Sequence, residues 1–223
     1  MVPRTGSIHM PRPSKRTQIV WVSFLGAITL VTGVLALGDL GGGTGGFLAV
    51  VPERLIATPH AQHPILRINQ PMDYERWHGI LIHHIGEPSG DAESVRRKHL
   101  SYGYKSMGYH FLIGNGKRMG DGVIHVGERW VNQQPGAHAI GQDGDYHNQH
   151  SIGIALIGNG NRRPFTEKQI AELTRLVRQL QLELDIPPTS VRLHRDIAGE
   201  LTNSPGEFFA AGRFEQQLLR TTH

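Results

Sequence analysis

Cysteine is absent from all 223 residues, so neither a disulfide framework nor a thiolate metal site can form. That absence suits an extracytoplasmic protein without requiring one. Acidic residues are missing from positions 1–18, which hold Arg4, Arg12, Lys15 and Arg16. The net charge of +4 therefore belongs to this stretch, and acids and bases balance over the rest. No basic stripe interleaved with aromatics remains, so nucleic acid is not an expected partner. Internal repeats are lacking as well.

Charge is also missing from Ile19 to Leu37, where only Ser23, Thr29 and Thr32 interrupt an apolar run. As a helix this run measures roughly 28 Å, close to the hydrocarbon thickness of a bilayer. Basic residues before it and Asp39 after it orient the N-terminus inward and everything downstream outward. An uncleaved anchor is favoured over a cleaved signal peptide, for which Ala36 and Gly38 supply small residues at the cleavage point. The expected layout is a basic cytoplasmic N-terminus over 1–18, a transmembrane anchor or signal segment over 19–38, a flexible linker over 39–63 and one domain over 64–223. The glycine-rich Gly38–Gly46 marks the linker.

Within the domain, Gly79–His83 reads as a buried strand, and Ser89–Tyr102 as a helix with acids early and bases late. Tyr109–Ile113 and Val123–Val126 read as strands around a glycine-rich turn. Ser151–Ile157 is apolar nearly throughout, as a central strand covered on both faces would be. The clearest helix is Thr166–Leu184. Thr166 and Gln169 make a capping-box pattern, and Ile170, Leu173, Val177, Leu180 and Leu184 recur at helical spacing. Pro187 and Pro188 stop it. Val191–His194 reads as another strand, and Phe208–Leu219 as a closing helix. Interleaved strands and helices predict an α/β fold, a single domain with a central mixed sheet flanked by helices and preceded by the membrane segment.

Several short motifs follow one another: Ile82-His83-His84, Gly108-Tyr109-His110-Phe111, Gly136-Ala137-His138, Asn148 before Ser151-Ile152-Gly153-Ile154, His194-Arg195-Asp196 and Ser204-Pro205-Gly206. Each is weak alone. In this order, over about residues 77–209, the set resembles the zinc-dependent N-acetylmuramoyl-L-alanine amidase and peptidoglycan-recognition family, which includes the phage amidase-type lysozymes. The orientation of the apolar segment puts this domain, membrane-anchored or secreted, on the periplasmic or cell-wall side, and the resemblance implies a hydrolase there. It would cut the amide between N-acetylmuramic acid and L-alanine in peptidoglycan, with zinc activating water, in cell-wall turnover.

The same resemblance implies the site. His83 and His194 match two zinc ligands, and Ser204 stands where the family carries Cys or Asp. Tyr109 and Thr202 match positions that act on the water or the developing oxyanion. His138 and Asn148 match positions near the substrate groove, and holding a loop by backbone hydrogen bonds is an equal reading for both. His84 should point to the opposite face from His83. A neutral serine is a poor ligand for Zn²⁺, so the metal would be weakly held. Asp196, Glu200 and Asn203 are alternative third ligands through a shifted loop. The expectation is therefore an amidase, with a non-catalytic peptidoglycan-binding protein on the same fold as the alternative.

Overall fold

The computed structural model describes Ile65 and residues 67–218. The expected N-terminal basic stretch, membrane segment and linker lie outside the described residues. Among the described residues no helix is long and apolar enough to cross a membrane.

Five strands form one mixed sheet: β1 (Gly79–His84), β2 (Phe111–Ile113), β3 (Ile124–Val126), β4 (Ser151–Leu156) and β5 (Val191–Leu193). Their order is β3-β2-β4-β1-β5. The pairs β1–β4, β1–β5 and β2–β4 are parallel, and β2–β3 is antiparallel. As its unbroken apolar run predicts, β4 is central and buried along its whole length. Among the described residues six α-helices accompany the sheet: α1 (Ala92–Ser101), α2 (Glu128–Val131), α3 (Gly144–His150), α4 (Glu167–Leu184), α5 (His194–Ala198) and α6 (Ala211–Glu215).

Strand periodicity sorts the side chains between two cores. Ile80, Ile82, Ile152, Ile154, Leu156, Phe111 and Ile113 face the larger core, which Leu173, Leu176, Val177, Leu180 and Leu184 of α4 cover. Leu112 and Ala155 face the other way, into a smaller cluster with Val95 of α1 and Met107. His83 has the parity of this second face and His84 that of the first. The expected capping boxes form: Thr166 Oγ1 accepts from the Gln169 amide at 3.0 Å, and Gln169 Oε1 accepts from the Thr166 amide at 3.2 Å. On α1, Asp91 and Ser94 do the same.

Two expectations change. Phe208–Leu219 is not one helix, because only Ala211–Glu215 is α-helical. The Phe208 amide donates to Gly160 O at 2.8 Å, which holds that residue in a loop beside the sheet. His194 does not end a strand but opens α5, where Asp196 Oδ2 accepts from the Leu193 amide at 3.1 Å and caps the turn. The short helices α2 and α3 were not foreseen, since neither has a side-chain cap or enough length to show a period.

Candidate functional site

The parallel register between β1 and β5 ends with Ile82 opposite Leu193. The next residue after each of these is a histidine, His83 still on β1 and His194 opening α5, so the pairing brings the two together. Their ring centroids lie 4.4 Å apart. Both are buried, at 1% and 7% exposure. Burial lowers the His83 pKa well below its ordinary value, helped by neighbouring His138 and His194. Burial likewise pushes His194 down to about 4. Both rings are thus neutral bases at neutral pH.

Tyr109 stands beside them, its ring centroid 5.3 Å from that of His83. Desolvation raises its phenol pKa, so it is a proton-bearing donor at neutral pH. Tyr109 and Thr202 both line a cavity of about 650 Å³ that continues along α1 past Lys98, Tyr102 and Arg118. Its walls carry both charge signs: Lys98 pairs with Glu87 at 2.8 Å, and Arg118 with Asp91 at 2.9 Å. Thr202 Oγ1 accepts from the Ser204 amide at 3.1 Å, so it also shapes the loop.

His138 is buried against the pair, not open to the groove. Its Nδ1 lies 3.1 Å from His83 Nε2, and its Nε2 lies 3.1 Å from Ser151 O. Its ring fills a slot between Gly136 and Gly153, where a Cβ on either glycine would overlap it. Asn148 holds the backbone of the same loop. Its Oδ1 accepts from the His138 and Ala139 amides at 2.7 and 2.8 Å, and its Nδ2 donates to Ala139 O at 3.0 Å. The structure thus gives both residues the loop-holding contacts.

Ser204 is buried, at 4% exposure, and its Oγ accepts from the His84 amide at 3.0 Å. His84 points to the other face, as its parity requires, and its Nδ1 accepts from the Gly160 amide at 3.0 Å. Serine at 204 therefore ties its loop to the end of β1. The alternative ligands offer no anion to the histidine pair. Asp196 is committed to capping α5, and Glu200 and Asn203 are exposed. Two neutral imidazoles and an engaged hydroxyl do not fit a tightly held Zn²⁺, which calls for about three protein ligands, with a thiolate or carboxylate to offset its charge here. Among the described residues no group of three or more His, Cys, Asp or Glu is arranged to hold a metal ion.

Two contributors escaped sequence reasoning. His99 on α1 is buried, and its Nδ1 accepts from the Gly108 amide at 2.7 Å, setting the backbone just before Tyr109. Its spacing of four from Val95 marks the inward face of α1 and was the available signal. The Ile140 amide donates to His194 Nε2 at 3.3 Å, and a backbone group leaves no trace in sequence.

Residues 73–207 match the family described as N-acetylmuramoyl-L-alanine amidase. Peptidoglycan-recognition protein SC1a of Drosophila melanogaster is 41% identical over 70 residues, a match covering 31% of this chain and 31% of that protein. Protein SC2 of the same fly is 37% identical over 79 residues, covering 35% and 36%. The matched part is thus about a third of these curated relatives' length. Among solved structures, the N-acetylmuramoyl-L-alanine amidase LysC from Clostridium intestinale URNW is similar with a TM-score of 0.56 and 27% identity, over 68% of this chain and 92% of that one.

Proposed function

Because the chain belongs to the N-acetylmuramoyl-L-alanine amidase family, we propose that it binds the muramoyl-peptide part of peptidoglycan as a recognition domain, without a resident zinc ion. One observation carries this reading: the hydroxyl at the third-ligand position is neutral and engaged with the His84 amide. Substrate binding needs no metal. The groove beside α1 offers a phenol at Tyr109, a hydroxyl at Thr202, an aromatic face at Tyr102 and charged groups at Lys98 and Arg118. Such a surface suits a ligand that is part sugar, part peptide and carries carboxylates. The partner polymer and the charge asymmetry around residues 19–37 support a position outside the cytoplasmic membrane, tethered or released.

Hydrolysis of the muramoyl–L-alanine amide is the second reading. It is favoured by the clustering of His83 and His194 with Tyr109, and by the likeness to a clostridial amidase. A weakly held zinc would then supply Lewis-acid chemistry at the two histidines. The two readings share a groove and differ in the metal.

Cosedimentation with insoluble peptidoglycan tests the groove. Tyr102 is 62% exposed and the Arg118 side chain 55%, so Tyr102→Ala and Arg118→Glu leave the core intact. Each should lower the bound fraction several-fold. Unchanged sedimentation of both variants would move the binding surface elsewhere.

A further inference from the structure

The loop from Gly136 to Ile140 touches both buried histidines, each at Nε2. His83 Nε2 meets the His138 ring, and His194 Nε2 meets the Ile140 amide. Asn148 fixes the loop between these contacts through three hydrogen bonds to His138 and Ala139.

The protons can be followed along this chain, because its ends have only one role each. The Ser151 carbonyl can only accept, so His138 Nε2 carries a proton and donates to it. The His138 ring is 7% exposed, enclosed between a second imidazole and a carbonyl with no anion among these partners, so it stays neutral and keeps a lone pair on Nδ1. His83 Nε2 must then donate to that lone pair, and His83 Nδ1 is bare. At the other end, a backbone amide can only donate. His194 Nε2 therefore accepts from Ile140, and the proton of that neutral ring sits on Nδ1.

We propose that Asn148 is a positioning residue which, through loop 136–140, holds His83 and His194 in opposite tautomers. The nitrogens not engaged by the loop are then unlike: a lone pair on His83 Nδ1 and an N–H on His194 Nδ1. A cation needs a lone pair from each ring. To ligate through Nδ1, His194 would move its proton to Nε2, where it would face the Ile140 N–H donor against donor. The loop thus works against the metal independently of Ser204. The tautomers follow from the hydrogen bonds of rings that burial keeps neutral, and they do not depend on the binding reading.

Long-range proton–nitrogen correlation spectra of the ¹⁵N-histidine-labelled, metal-free protein at neutral pH test this directly. The expected result is a protonated Nε2 and bare Nδ1 for His83, with the reverse for His194. The same tautomer in both rings overturns the proposal. In Asn148→Ala both rings should become tautomer mixtures, while Asn148→Asp, which keeps the oxygen that takes the two amides, should restore the wild-type pattern. A folded Asn148→Ala protein with unchanged ring signals overturns the positioning role. Should that variant not fold, His138→Ala reads the same chain: His83 should become a mixture while His194 keeps its Nδ1 proton, and an unchanged His83 contradicts the assignment. Failure of a muramoyl peptide to bind would remove the functional reading and leave these spectra unaffected.

Discussion

The chemistry of the site turns on single atoms. At position 204 an oxygen that accepts from the His84 amide stands where the family has an anionic ligand. Ser204→Cys would place a thiolate-forming group there, and zinc affinity should rise by at least tenfold over wild type, read by competition with a chromophoric chelator. No gain would mean that the loop, not the missing charge, keeps the metal out. The buried histidines also set a pH dependence. Burial lowers His83 and His138 well below their ordinary range, His110 to about 3 and His194 to about 4. Unfolded rings take up protons near 6.5, so between there and about 4 the unfolded state holds more protons than the folded one. Stability should therefore fall as pH drops from about 6.5, with a slope exceeding one proton per molecule. Thermal melts across that range check it, and a flat profile would contradict the buried neutral rings.

Among the elements, α4 carries the larger core. Leu176 is fully buried on it, and Leu176→Ala should cost about 2–5 kcal/mol in chemical denaturation. Thr166→Ala removes one half of the capping box and should cost about 1 kcal/mol. Elements with a repeating pattern were legible from sequence: α4 from its spacing and caps, β4 from its unbroken apolar run, and β1 with the opposed directions of His83 and His84. What was not legible rests on a contact distant in the chain, on a local cap, or on elements too short to show a pattern. Phe208 is held by Gly160, His194 is turned into a helix by Asp196, and α2 and α3 are too short to show periodicity. At the site, the family pattern pointed to His83 and His194 as neighbours, and the β1–β5 register sets them side by side. The burial of His138 could not be read, because the slot that takes it is built by Gly136 and Gly153 on separate segments.

At the scale of the molecule, one sheet organises everything described: β4 and β1 at its centre, α4 over one face, α1 and the groove over the other. Both cores, over the described residues, are assembled from Ile65 onward, so a chain beginning at residue 60 should be soluble and melt in one cooperative transition. An aggregated product would contradict this. On the proposed reading, the groove recognises peptidoglycan without zinc. Calorimetric titration of the metal-analysed protein with a muramoyl peptide, in parallel with and without a strong chelator, tests it most directly. The predicted result is the same affinity in both arms, far less than one zinc per chain, and an intact peptide recovered afterwards. Stoichiometric zinc, with chelator-sensitive release of free peptide from the muramoyl group, would contradict it and establish the amidase instead.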